Sequence, residues 1–176
     1  MKLKQGFTLI ELLVVMIIIA IMATVVIPNL GPRPADKRKE FISQLNALTS
    51  LGWYNAIITN KMHKIDIDVN KRIITLEIQT KKGEMNFVPV RRKYVASTLR
   101  LPTEYEIREF IVQGKNLVSG VFQKAEFYIL AGGLASDIII NFVDKKDKLP
   151  SGQMRPFSLV LNPFSAQFRE YGSFQR

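Results

Sequence analysis

An α+β fold is predicted for this 176-residue chain, and three patterns along the sequence predict it. The first is a 21-residue apolar run, Phe7–Ile27, interrupted by one carboxylate at Glu11. The second is a stripe of apolar and small residues at helical spacing between Phe41 and Ala56. The third is a change to period two from Lys64 onward, repeated in short stretches toward the C-terminus. Apolar residues three and four apart line one face of a helix, whereas alternation lines one face of a strand. Helices followed by a run of antiparallel strands give the α+β arrangement.

The first helix carries the chemistry. As a helix, Phe7–Ile27 would be about 32 Å long at ~1.5 Å per residue, enough to cross a bilayer. A single charge in such a segment costs roughly 2.5–3.5 kcal/mol on insertion scales, so Glu11 needs a compensating partner. Ahead of it, Met1-Lys2-Leu3-Lys4-Gln5-Gly6 is a short basic leader ending in a small residue. Removal of this leader would give Phe7 an ammonium group one helical turn from Glu11 and on the same face. The amine of the same chain or of a neighbour would then neutralise the acid, because buried opposite charges are tolerable together and costly apart. A secretory signal peptide has a shorter apolar core with the small residue after it. Here the small residue comes first. A plain single-pass anchor accounts for the length but leaves Glu11 unexplained.

Gly6-Phe7-Thr8-Leu9-Ile10-Glu11, with the apolar run continuing to Pro28-Asn29-Leu30, resembles the processing motif of type IV prepilins and type II secretion pseudopilins. The resemblance implies that a prepilin peptidase cuts between Gly6 and Phe7 and that the new Phe7 amine is methylated. It implies that Glu11 brings subunits into register in a helical filament. It also implies a single pass through the inner membrane, in contact with its lipid before assembly, with the globular domain in the periplasm. A count of Lys and Arg alone points the other way. Lys2 and Lys4 precede the helix, whereas Arg33, Lys37, Arg38 and Lys39 follow it, and the heavier cluster ordinarily stays cytoplasmic.

The chain therefore divides into a leader (1–6), a transmembrane and filament-core helix (7–30), a Gly/Pro break (31–34) and a globular domain (35–176). Pro28 removes a helix hydrogen bond and predicts a kink. Gly31-Pro32-Arg33-Pro34 is a stronger breaker. A second helix is predicted from Ala35-Asp36 to about Asn60, with Phe41, Leu45, Leu48, Gly52 and Ala56 on its buried stripe and Ile42 and Leu51 at the flanks. Gly52 and Ala56 are small and would let a sheet come close. Lys39, Ser43, Asn46 and Ser50 fall on the opposite side, and Trp53 lies away from the stripe.

Strand patterns follow. Ile65, Ile67 and Val69 alternate with Asp66 and Asp68, and Ile74, Leu76 and Ile78 alternate with Thr75 and Glu77. Asn70-Lys71-Arg72 turns between them, which makes a hairpin with one buried face. Further strands are predicted at Met85–Val90, Tyr94–Leu101, Tyr105–Val112, Leu117–Phe122, Ala125–Leu130, Asp137–Val143, Phe157–Leu161 and Phe164–Tyr171. Turn signals at Lys82-Gly83, Gln113–Asn116, Gly132-Gly133 and Pro150–Gly152 separate several of them. This order of elements resembles the GspH/FimT branch of minor pseudopilins and pilins. That resemblance implies that the second helix packs on a β-sandwich-like, pilin-like domain.

Composition narrows the chemistry. Zero cysteines removes disulfides, thiolate metal sites and cysteine nucleophiles. His63 is the single histidine, and at a helix-to-strand turn it reads as a surface residue. Asp144 and Asp147 are interleaved with Lys145, Lys146 and Lys148, which suits a solvated loop better than a calcium cage. Glu104, Glu106 and Glu109 form no pair with a pKa-tuning environment, and Gly114-Lys115 lacks the spacing of a phosphate loop. No metal, cofactor or active site is therefore predicted. The net charge is +10, or +8 (23 basic against 15 acidic side chains) once Lys2 and Lys4 leave with the leader. Such a balance favours anionic partners. Arg91-Arg92-Lys93 beside Tyr94, with Lys81-Lys82, is a candidate contact for DNA phosphates, or else a set of solvated strand ends that discourage aggregation. The expected function is a non-enzymatic minor pseudopilin, partnered by other pilin-like subunits in a type II secretion-like filament. The alternative is a minor type IV pilin serving motility, adhesion or DNA uptake.

Overall fold

The computed structural model describes residues 8–26, 33–91, 96–118 and 123–176, in two compact units, Met1–Arg33 and Pro34–Arg176. The first unit is one helix, α1 (Leu9–Val26), 18 residues of almost wholly apolar sequence. Its side chains from Leu9 to Met22 are all exposed, Leu9 at 82%. No helix among the described residues is long and apolar enough to cross a membrane. The predicted span is longer than α1 because Phe7 and Ile27–Leu30 lie outside the described residues, and Pro28 with its predicted kink lies there too.

The second unit opens with α2 (Pro34–Thr59). Pro34, assigned to the break from sequence, is instead the first helical residue, a position where its missing N–H has no partner to lose. Among the described residues ten strands follow: β1 (His63–Asp68), β2 (Ile73–Gln79), β3 (Phe87–Pro89), β4 (Thr98–Arg100), β5 (Tyr105–Val112), β6 (Lys115–Asn116), β7 (Lys124–Ile129), β8 (Ile138–Lys148), β9 (Met154–Asn162) and β10 (Gln167–Tyr171). They form two antiparallel sheets. One has the order β3-β2-β1-β7, with β4 also paired to β2; the other has the order β10-β9-β8-β5-β6. This is the predicted pairing of helices with antiparallel sheets.

Register aligns the inward rows. In the first sheet Ile65 faces Leu76 and Phe127, and in the second Ile140 faces Phe110 and Leu159. These rows, with Phe41, Leu45, Leu48 and Ala56 of α2, form one buried core. Phe142 stacks on Phe157 with centroids 5.0 Å apart, and Phe41 meets the edge of Phe142 at 6.4 Å, so aromatic contacts join α2 to the second sheet. Gly52 is where the first sheet comes closest. A Cβ there would stand 2.8 Å from Leu76 Cδ1 and 3.1 Å from Ile129 Cδ1.

Several sequence expectations are corrected. Asn46 does not simply face away: its amide donates to Phe168 O at 3.1 Å and its oxygen accepts from Phe168 N at 2.6 Å, closing the outer edge of β10. His63 is fully buried in β1, with Nδ1 3.1 Å from Lys61 O, because the strand begins two residues earlier than its apolar alternation shows. Asp144 and Asp147 belong to β8, not to a solvated loop, and Asp144 is 1% exposed. Trp53 is half-buried and packs beside Ile57 against Gly133, whose φ of +82° and whose lack of a Cβ both allow that approach. The strand predicted over Phe164–Tyr171 starts at Gln167, after a turn at 163–166. Of Tyr94–Leu101 only Thr98–Arg100 is strand among the described residues, and most of the predicted Leu117–Phe122 lies outside the described residues, after the two-residue β6.

Candidate functional site

The head of α1 is built by two side chains. Thr8 stands just before the helix and accepts the Glu11 N–H on its Oγ1 at 3.3 Å. Glu11 reaches back, its Oε2 accepting the Thr8 N–H at 3.2 Å and the Thr8 hydroxyl at 3.3 Å. This reciprocal arrangement is a capping box, which satisfies N–H groups that the first helical turn leaves without intrahelical partners. It also sets a carboxylate at the positive end of the helix dipole. The spacing Thr8-x-x-Glu11 ahead of an apolar run was the available signal, and the reading of Glu11 as an assembly acid passed over it. Farther along, the Thr24 hydroxyl donates to Ile21 O at 2.7 Å, so it too is satisfied within the helix. What remains exposed is an apolar surface on every side. A helix apolar all round is one that something else buries.

Gly6 and Phe7 lie outside the described residues, as do Arg92 and Lys93, and Arg91 is exposed at the end of the segment after β3. Glu11 is therefore the described member of the Gly6, Phe7 and Glu11 processing and assembly set.

The sequence reading missed a charged cluster in the second unit. Arg38, 9% exposed, donates from Nε to Glu170 at 2.7 Å and from Nη1 to Asp147 at 3.2 Å and Asp144 at 3.5 Å. Burial opposes its charge, but the hydrogen bonds to Glu170 and Asp147 and their charges outweigh that, and its pKa stands above the ordinary arginine value. Arg155 adds a second guanidinium to Asp147 at 2.7 Å. A register shift between Asp144 and Lys148 turns both aspartates toward Arg38. Residues 106 and 132 positions apart from Arg38 are joined in this way, so no local pattern announces the cluster. It also alters the charge count after α1, since Arg38 is engaged inside its own domain. Among the described residues no group of acids and histidine stands ready to hold a metal ion.

Residues 1–27 match the model of the prokaryotic N-terminal methylation motif. No curated protein matches the chain in sequence. Among solved structures, the minor pseudopilin EpsH from the type 2 secretion system of Vibrio cholerae superposes with a TM-score of 0.51 at 15% identity. That match covers 77% of this chain and 95% of that one. A second structure of the V. cholerae minor pseudopilin gives 0.48 at 14% identity, over 77% and 98% of the two chains. The N-terminal segment thus carries the prokaryotic N-terminal methylation motif, and the α+β fold is similar to that of the V. cholerae minor pseudopilin.

Proposed function

We propose that this chain is a minor pseudopilin, a structural subunit of a type II secretion-like filament. The observation that carries the reading is an apolar helix, exposed on all sides and headed by Glu11, joined to a domain of pseudopilin fold. Before assembly, lipid of the inner membrane would cover the helix and the domain would stand in the periplasm. In the filament, helices of sister subunits would replace the lipid. A prepilin peptidase would free and methylate the Phe7 amine. That cation, on its own chain or a neighbour's, would complete the neutralisation of Glu11 that Thr8 begins. A subunit shifted by a few residues would leave the acid without its cation in an apolar medium, which selects one axial offset.

The test separates charge from cap. Glu11→Gln keeps an oxygen for Thr8 but removes the charge, whereas Glu11→Val removes both. Each variant should still enter the membrane and lose its leader, seen by intact mass as a chain beginning at a methylated Phe7. Each should incorporate into filaments with sister subunits at roughly a tenth of the wild-type level or less, because a register penalty above about 1.4 kcal/mol is a factor of ten. Wild-type incorporation of Glu11→Gln would remove the electrostatic role.

A further inference from the structure

The Arg38 cluster has a consequence for the surface around it. By drawing Asp144 and Asp147 toward the first turns of α2, it brings the end of β8 to the N-terminal end of that helix. Lys37 and Lys39, on either side of Arg38, and Lys146 and Lys148, on either side of Asp147, are all exposed. None of the four has an ion-pair partner among the described residues, in contrast to Lys145, which pairs with Glu106 at 3.0 Å. The acids exposed at this end are Asp36, Glu40 and Glu170, the last held by Arg38, so the four lysines outnumber the acids left unpaired.

We infer that this basic end of the domain is a docking surface for anionic lipid headgroups. The reading rests on the proposal that α1 is taken up by a membrane. Seven residues separate Val26 from Pro34, so chain connectivity limits the first turn of α2 to within roughly 25–30 Å of the end of α1. The opposite end of α2 carries exposed Tyr54, Ile57 and Ile58 instead. Unpaired lysines next to an inserted helix are attracted to anionic headgroups over about one Debye length, ~8–10 Å at physiological salt. The patch would hold the stored subunit with this end down, and transfer into a filament would have to break the contact.

The chain has no cysteine, so Ser151→Cys in the exposed turn between β8 and β9 takes a single donor dye on the full-length protein. The labelled protein is reconstituted into vesicles of neutral phosphatidylcholine, with or without phosphatidylglycerol, carrying a headgroup acceptor. Energy transfer should be about twofold higher on the anionic vesicles and should fall to the neutral level near 0.5 M salt. The fourfold variant Lys37→Gln, Lys39→Gln, Lys146→Gln, Lys148→Gln, shown by its melting curve to be folded, should give the neutral level on both. Protein retained through an alkaline wash but showing equal transfer on both vesicles would overturn this inference alone. Protein lost in the wash would overturn the anchoring reading, and this one with it. Duplex DNA bound by the wild type and not by the fourfold variant, with equal transfer on both vesicles, would make the patch a nucleic-acid surface and overturn the lipid assignment.

Discussion

Arg38 shows how much one side chain can organise. Its planar fork reaches a carboxylate on β10 and two on β8, which a lysine could not match in geometry. Replacing it with alanine would strand Asp144, 1% exposed, without its guanidinium. Breaking a buried pair from one side costs about 3–5 kcal/mol, so Arg38→Ala should lower the unfolding free energy of the domain, read from urea melts, by an amount near the bottom of that range. A loss below about 1 kcal/mol would mean that Arg155 and solvent take over the aspartates. Glu106 makes a smaller contribution that can be read by pH. A hydrogen bond from Lys145 holds its carboxyl below the ordinary value of 4.5; burial opposes the shift and Arg108 reinforces it. A depressed folded pKa stabilises above the unfolded value, and that stabilisation is lost as pH falls through the folded one. Glu106→Gln should therefore cost a few tenths of a kcal/mol at pH 7 and nothing well below pH 4, seen as urea midpoints that converge in acid.

At the scale of elements, α2 is shaped by the sheet it meets. Glycine inside a helix costs about 1 kcal/mol relative to alanine, so Gly52 must be kept for another reason. The reason is distance: Leu76, fully buried, leaves no room for more than a hydrogen. In Gly52→Ala the propensity gain and the tight contact should nearly cancel. Gly52→Val adds a Cβ and two methyl groups against Leu76 and Ile129 and should destabilise by roughly 1–3 kcal/mol. A valine variant as stable as wild type would show that the sheet can retreat. The strand edges are managed too. Asn46 closes β10, Ser136 N donates to Tyr128 O at 2.9 Å beside β7, and β5 carries a bulge between Ile107 and Glu109. Bulges, charges and short edge strands discourage strand addition. Assembly through α1 fits that pattern better than assembly through a sheet edge.

For the whole molecule, the division of labour is between a helix that keeps no core for itself and a domain whose core is complete. Among the described residues, all those of the buried core lie between Phe41 and Phe168. A fragment beginning at Pro34 should therefore unfold in one cooperative urea transition. A broad, non-cooperative transition would show that the domain depends on the first unit. Arg72 contributes to that completeness. From the turn between β1 and β2, at φ 55°, it donates to Leu101 O at 3.1 Å and Tyr105 O at 2.8 Å, clasping the first sheet to the entry of the second.

The features legible from sequence are those governed by neighbours along the chain. The apolar run with its single acid, the α2 stripe from Phe41 to Ala56, the β1–β2 hairpin and the bounds of β5 all follow from periodicity and turn chemistry within a few residues. The same locality explains the misses. Asn46 and Asp144 look solvent-seeking beside their neighbours, and a strand or helix more than 100 positions away gives each a partner that the local sequence does not announce. His63 reads as a turn residue until β2 and β7 pair on either side of it. Sequence by itself determined that an apolar helix bearing one acid precedes an α+β domain, because that information lies within single turns and single strands. Tertiary structure alone decided which polar residues are buried and which lysines are left outward, because those depend on contacts that form only when distant segments meet.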